Sequence, residues 1–207
     1  QKIIKKLFDK NSPPILIAEI SANHNGSIKK AKNLILTAKK NGADIVKLQT
    51  YEPKNMTINS SLNDFLIKDG LWKGYKLWDL YKEAQTPLKW QKQLFDYAKK
   101  IKMPCFSTPY DDEGVDLLKK LNTQLYKVSS FEMKDSALVR KICKIGKPVI
   151  ISTGLANLNE INEVYHVAKN SGCKKLILLY CVSSYPAKNI DFNLNNIDIL
   201  KKKFKCE

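Results

Sequence analysis

The feature that most constrains the fold of this 207-residue chain is a regular alternation of short apolar runs with longer amphipathic segments. Each apolar run is typical of a buried strand, and each following segment places apolar residues at helical spacing. The predicted strands cover residues 15–20, 44–50, 104–109, 125–130, 148–154 and 175–183. Repeated strand–helix units favour a parallel sheet with helices outside it, and one domain over residues 1–207 is the simplest organisation.

The segments between the strands predict helices over residues 28–42, 76–84, 111–121, 135–146, 157–172 and 193–204. A further helix is predicted to open at Thr86-Pro87, with Thr86 as N-cap and Pro87 at the first helical position, and to run to about Lys102.

Periodicity alone allows either a barrel or an open doubly wound sheet, but the polar residues favour the barrel. Nearly every predicted strand is apolar at its start and polar at its C-terminal end. In a barrel all of these ends converge on one face, whereas an open sheet gathers only those beside its switch point. We therefore predict a TIM (β/α)8 barrel whose polar strand ends are Glu19, Lys47, Gln49, Ser107, Thr108, Lys127, Ser130, Ser152, Thr153, Ser183 and Ser184.

The two lysines near strand ends indicate an anion site. Buried ammonium groups are rarely tolerated without partners, so Lys47 and Lys127 with a ring of hydroxyl groups suit a phosphate or a carboxylate–phosphate compound. The alternative for the hydroxyls is structural, because serine and threonine at a strand end often cap the next helix. Neither a P-loop nor a GxGxxG pattern is present, so a nucleotide-binding loop is not predicted.

Composition excludes some classes of function. The formal charge is +16, from 36 basic and 20 acidic residues, but most lysines fall at solvated helical positions, so we expect no nucleic-acid partner. No apolar run approaches the roughly 20 residues of a membrane span. The five cysteines form no CxxC pair and no metal-ligand spacing, which predicts free thiols in a reducing cytoplasm.

Seven motifs in this order and spacing resemble the phosphoenolpyruvate-dependent sialic acid synthase family, from about Ile15 onward. They are IAEISANHNGS, GADIVKLQTY, LWDLYKEAQTP, FSTPYD, LYKVSSFE, GKPVIISTGLA and CVSSYPA. The serines at positions 21 and 129, where the sialic acid branch tends to have glycine, make the chain more similar to the pseudaminic acid synthase branch.

The resemblance implies a barrel that condenses phosphoenolpyruvate with an N-acetylated amino sugar aldehyde and releases phosphate. Positions that match phosphoenolpyruvate-binding residues are Lys47, Thr108, Lys127, Ser130 and Ser152, with Ser183 standing where the sialic acid branch has asparagine. Sugar-side positions are Gln49, Glu132 and Tyr185, and Glu19 matches a catalytic carboxylate near the reacting carbons. We count Lys47 and Lys127 as catalytic as well, because they would hold and polarise the reacting anion. A structural ion pair with a lysine is the alternative for Glu19.

The family also uses a divalent metal ion, Mn²⁺ or Mg²⁺, held by two histidines from the last barrel strands. The only histidines here are His24 and His166, for which we expect a loop-ordering hydrogen bond and a surface or packing role. The resemblance thus implies that six of the eight strand–helix units are present, without the metal ligands or the C-terminal antifreeze-like domain. We expect a homodimer for a full-length version and no activity for this chain alone. The open alternatives are an N-acetylneuraminate or legionaminate synthase, a non-catalytic anion-binding barrel and, last, a basic nucleic-acid-binding protein.

Overall fold

The structure, a computed structural model, describes residues 2–184, 186–204 and 206. Within them the strands are β1 (Ile17–Glu19), β2 (Ile45–Thr50), β3 (Cys105–Pro109), β4 (Tyr126–Val128), β5 (Val149–Ser152) and β6 (Leu176–Leu179). The helices are α1 (Lys2–Lys6), α2 (Ile28–Lys40), α3 (Pro53–Met56), α4 (Leu77–Ala84), α5 (Leu88–Lys100), α6 (Asp112–Lys120), α7 (Ser136–Lys144), α8 (Leu158–Asn170) and α9 (Asn195–Phe204). Single 3₁₀ turns cover Asn63–Phe65, Glu132–Lys134 and Asn189–Asp191.

All six predicted strands and seven predicted helices are present, but the strands are shorter than predicted. The difference is largest for β6, which ends at Leu179 although the apolar run suggested a strand to residue 183. Four of the predicted polar strand-end residues belong to the following loops, namely Ser130, Thr153, Ser183 and Ser184, whereas the others lie within the strands. The helices α1 and α3 were not predicted, because each is shorter than two turns.

The predicted start of α5 is wrong. The N-cap is Pro87, the helix begins at Leu88, and no side chain caps it. The hydroxyl of Thr86 cannot serve as the cap, since Thr86 Oγ1 lies 3.3 Å from His24 Nε2 in a buried hydrogen bond.

The chain forms two compact units, and one of them comprises residues Asn11–Leu121. Its strands are parallel in the order β1-β2-β3, with Glu19 beside Lys47 and Gln49 beside Thr108. Helices α2 and α5 cover the sheet. The core is apolar and consists of Ile20, Ala31, Ile35, Val46, Leu48, Leu94, Ala98 and Met103. Since Val46 and Leu48 point into this core, Lys47 and Gln49 share the opposite face, as the alternation predicted.

The other unit comprises residues Gln1–Lys10 and Asn122–Glu207. Its strands are parallel in the order β4-β5-β6, with Lys127 beside Ile150 and Ser152 beside Leu179. A capping box starts α8: the Asn157 side chain accepts from the helix amides, and the Glu160 carboxylate accepts from the Asn157 amide. This cap leaves Ser152 and Thr153 free of any capping role.

Among the residues that the structure describes, no helix has the length and apolar character needed to cross a bilayer.

Candidate functional site

In the unit Asn11–Leu121, the C-terminal ends of the strands carry a cluster of polar side chains around Lys47. The Lys47 ammonium forms an ion pair with Glu19 Oε2 and donates to Thr108 Oγ1 at 3.3 Å. The parallel register accounts for the grouping, because it sets Glu19 directly beside Lys47 and brings Thr108 in on the third strand. Two other predicted site residues, Glu19 and Thr108, therefore contact the Lys47 ammonium.

Both carboxylate oxygens of Glu19 are held. The Ser21 amide donates to Oε1 at 3.0 Å, while Oε2 contacts the Lys47 ammonium. The Glu19 side chain is nevertheless 37% exposed, against 15% for Lys47. A carboxylate that is fixed by two donors and still open to solvent fits a group that meets a ligand, and it also satisfies the structural ion-pair alternative. The geometry is therefore consistent with Glu19 as a catalytic carboxylate and with Glu19 as a structural ion-pair partner.

Gln49 is half-buried on β2, two residues beyond Lys47. Its backbone carbonyl accepts from Gln91 Nε2 at 2.7 Å, so α5 braces the end of β2.

The alternative role for Ser107 was to cap the next helix, but its hydroxyl instead hydrogen-bonds to Thr50 at 2.6 Å. The N-cap of the next helix is Asp111, whose carboxylate accepts from the Gly114 amide. The capping role for Ser107 and Thr108 is therefore wrong, because an aspartate fills that position.

In the unit that contains β4, β5 and β6, the predicted site is built around Lys127. This lysine is only 7% exposed, and its ammonium donates to Ser152 Oγ at 2.5 Å and to the Val128 carbonyl at 2.9 Å. Thr153 does not cap a helix either, since its hydroxyl donates to the Leu179 carbonyl at 2.9 Å. A buried cation with a neighbouring hydroxyl is the arrangement that an anionic ligand requires.

Three residues after Lys127, Ser130 lies in the loop that follows β4. Its Oγ accepts from the Gly154 amide at 3.2 Å, which ties the end of β4 to the end of β5. In the same loop the Ser129 hydroxyl donates to Glu132 Oε2. Burial raises the pKa of Glu132 above its usual value, and the nearby Lys127 opposes that rise. The Ser129 hydroxyl and the Lys127 cation therefore favour the charged form of Glu132 against the cost of its burial.

The remaining predicted residues are less well placed or lie elsewhere. Ser183 is exposed beyond the end of β6, and the predicted Tyr185 lies outside the described residues. His24 is buried, where its Nδ1 accepts from the Gly26 amide at 3.1 Å, so the predicted loop-ordering role is confirmed. His166 is exposed on α8, with an edge contact to Tyr165.

The described residues contain no group of three or more histidine, cysteine, aspartate or glutamate side chains that could hold a metal ion. The donor set needed for a divalent cation is thus not assembled in this part of the chain, and no step of the chemistry is assigned to a metal.

Lys127, Ser130 and Ser152 form the set that we call the Lys127 cluster, and sequence reasoning missed two residues that contact it. The Cys181 thiol donates to Ser152 Oγ at 3.3 Å. A Cβ atom added to Gly154 would overlap Ser183 Oγ and approach Cys181 Cβ at 3.0 Å, so the backbone needs a glycine there. A glycine at the last position of a predicted strand was a readable signal of close backbone approach. Nothing in the sequence pattern distinguished Cys181 from an ordinary buried thiol.

Comparison with known proteins supports the resemblance. The NeuB family model matches residues 34–207. A pseudaminic acid synthase of Campylobacter jejuni is 43% identical over 200 residues, which cover 97% of this chain and 58% of that protein. An N,N'-diacetyllegionaminic acid synthase of the same species is 36% identical over 196 residues, covering 93% and 58%. The chain therefore spans about 58% of the length of these relatives.

Among solved structures, the N-acetylneuraminic acid synthetase of Leptospira borgpetersenii, in complex with citrate, is similar with a TM-score of 0.83 and 29% identity, over 95% of this chain and 64% of that one. This similarity confirms the predicted fold class, a partial TIM barrel with its first six strand–helix units. Together with the match of the family model over residues 34–207, it shows that the chain belongs to the NeuB family.

Proposed function

We propose that this chain carries the phosphoenolpyruvate-binding part of a nonulosonic acid synthase, an enzyme that condenses phosphoenolpyruvate with an N-acetylated amino sugar aldehyde. Phosphoenolpyruvate, sugar and water would give the nine-carbon acid and inorganic phosphate. The activity concerns the whole gene product, because the chain spans about 58% of its relatives' length.

The main support for the proposal is the burial of Lys127 and its contact with Ser152. A lysine with 7% exposure sits at the end of β4, and its ammonium is directed onto Ser152 at the end of β5. Burying an ammonium group at a strand end among hydroxyl and carbonyl oxygens is costly, and a bound anion would offset that cost. A phosphate or carboxylate group of phosphoenolpyruvate would place its negative charge against this cation.

From the family resemblance, Lys47 and Thr108 are also proposed as phosphoenolpyruvate-binding residues, again as a cation with a hydroxyl group. The neighbouring solved structure contains citrate, a tricarboxylate, so a related barrel accepts a small polyanion. Gln49, Glu132 and Tyr185 are proposed to contact the sugar, and Ser183 to contact phosphoenolpyruvate. These assignments follow from the family resemblance.

Glu19 is proposed as the catalytic carboxylate. Attack by C3 of phosphoenolpyruvate on the sugar aldehyde forms the new carbon–carbon bond and leaves positive charge at C2. Water adds at C2, its proton passes through a base to the alkoxide oxygen of the former aldehyde, and the C2–O bond to phosphate then breaks to leave a ketone at C2. A fixed and partly exposed carboxylate can stabilise the cation and accept the proton of the water. The two donors on Glu19 fix its orientation for that role.

The sugar is proposed to be the precursor of pseudaminic acid. The identity to the Campylobacter pseudaminic acid synthase is 43%, against 36% to the legionaminic acid synthase of the same species, over similar lengths. An N-acetylneuraminate or legionaminate synthase is therefore the second choice.

Three further parts of the proposal rest on the resemblance or on general chemistry. A divalent metal ion would polarise the aldehyde, but the described residues do not form a site for it. The full-length version is proposed to be a homodimer. A cytoplasmic location is proposed because all five cysteines are free thiols, as in a reducing compartment.

The test is phosphate release from phosphoenolpyruvate by the whole gene product, supplied with Mn²⁺ and each candidate sugar in turn. We expect release only with phosphoenolpyruvate and sugar together, and a product whose mass equals sugar plus pyruvate. Phosphate release without any sugar would point to a phosphatase. Calorimetric binding of phosphoenolpyruvate without turnover would favour the non-catalytic anion-binding alternative.

A further inference from the structure

The loop between β1 and α2 has an unusual backbone. Ser21 and Asn25 have φ angles of +44° and +47°, and Gly26 has a φ of +68°. Residues other than glycine seldom adopt this left-handed conformation, so surrounding contacts must impose it. The loop lies directly after Glu19, and its first left-handed residue is the one whose amide donates to Glu19 Oε1.

His24 is the side chain that fixes this loop. It is 1% exposed, and both of its ring nitrogens have partners within the same compact unit. Nδ1 accepts from the Gly26 amide at 3.1 Å, so in a neutral ring the proton is on Nε2. Nε2 then donates to Thr86 Oγ1 at 3.3 Å, and the Trp90 ring packs edge-on with its centroid 5.5 Å away. Burial lowers the pKa of His24, which keeps the ring in this neutral form.

Thr86 lies two residues before α5 and Trp90 lies in its first turn, and the same helix braces the end of β2 through Gln91. The loop after β1 is thus attached to the same rigid helix as the strand that carries Lys47. Glu19 Oε2 is held from β2, and Glu19 Oε1 is held from the loop. Both donors can contact the Glu19 carboxylate at the same time only if the loop and β2 hold fixed positions relative to each other.

The geometry points to His24 as a positioning residue that sets the orientation of the Glu19 carboxylate through the Ser21 amide, with Thr86 as its anchor. Its importance for catalysis rests on the proposed function, in which Glu19 takes part in the chemistry. The placement of the Ser21 amide does not depend on that proposal and can be measured on the 207-residue chain.

The first measurement is amide hydrogen exchange of the chain, followed residue by residue by NMR. In His24→Leu we expect the Ser21 amide to lose roughly tenfold or more of its protection, since losing both ring contacts frees the loop. The amide of Val46 in β2 should keep its protection. Thr86→Val should give a smaller loss at Ser21, and Thr86→Ser, which keeps the hydroxyl, should restore most of it.

His166→Leu is the matched control, because it makes the same substitution at the only other histidine, which is exposed in the other unit. It should leave Ser21 unchanged. Unchanged protection at Ser21 in His24→Leu would overturn the inference. An equal loss at Ser21 and Val46 would also overturn it, because it would show general destabilisation instead of a local effect.

The second measurement is kinetic and uses the active whole gene product. His24→Leu should lower kcat roughly tenfold with less than a twofold change in KM for phosphoenolpyruvate, since the Lys127 cluster is untouched. In a Glu19→Gln background the same change should cost almost nothing more, because His24 acts through that carboxylate. Full additivity of the two losses would refute the positioning role. An inactive wild-type protein would refute the proposed function instead, and the exchange measurement would then decide the inference alone.

Discussion

Replacing Lys127 by methionine tests the candidate anion site most directly. Methionine has nearly the same length and fits a buried position, so the change removes the charge and keeps most of the volume. Lys127 is 7% exposed and its ammonium is already directed onto Ser152 Oγ, so a bound phosphate or carboxylate would meet a largely desolvated cation.

The magnitude follows from that burial. Removing one partner of a desolvated, hydrogen-bonded charge pair costs about 2–5 kcal/mol, so the Kd for phosphoenolpyruvate should rise about 30- to 4,000-fold. An exposed lysine would contribute much less, roughly 0–1 kcal/mol. The expected loss is therefore large enough to separate a site lysine from a surface lysine.

The assay is isothermal titration of folded protein with phosphoenolpyruvate at about 0.15 M salt, where distant surface charges are screened. Lys144→Met is the control, because it removes the same charge from an exposed position on α7 in the same unit. A thermal melt of each variant verifies that it is folded. If Lys127→Met binds within twofold of both the wild type and Lys144→Met, the assignment of Lys127 to the anion site is wrong.

Three further predictions concern the carboxylates and the glycine at the site. Glu19→Gln should leave phosphoenolpyruvate binding near normal and lower turnover roughly a hundredfold, as loss of an acid–base residue does; unchanged turnover per folded molecule would favour the structural ion pair. Because burial raises the pKa of Glu132 above 4.5, the folded state binds more protons than the unfolded state between the two pKa values, and stability falls as the pH rises through that window. Glu132→Gln should flatten this fall in urea titrations taken at successive pH values, and an unaltered pH profile would contradict the burial argument. Gly154→Ala should cost about 1–3 kcal/mol of stability, because its Cβ overlaps Ser183 Oγ; a melting temperature equal to that of the wild type would show that Ser183 moves away freely.

The sequence predicted the elements that depend on local pattern. Period-two alternation in β2 placed Lys47 and Gln49 on the face opposite Val46 and Leu48, and the structure confirms this, because alternation is fixed by strand geometry alone. Glycine and polar residues also located the helices to within a few residues. Polar strand ends indicated candidate site residues, because a charged group directly after an apolar run is costly to bury unless it meets a partner or a ligand.

The partners of these side chains could not be read from local pattern. Ser107, Thr153 and Thr86 all had the appearance of helix caps, yet their hydroxyl groups bond to residues 57, 26 and 62 positions away in the chain. A hydroxyl group has several possible partners of similar energy, and only the parallel register and the helix packing decide which of them is within reach.

The sequence by itself therefore determined the order of strands and helices, the fold class and the identity of the candidate site residues, because these follow from periodicity, burial preference and motif. The tertiary structure alone decided that Lys47 pairs with Glu19, that Lys127 bonds to Ser152, and that His24 reaches Thr86. Each of these contacts joins residues at least 25 positions apart, and the backbone geometry that brings such residues within hydrogen-bonding distance is a property of the packed sheet and its helices.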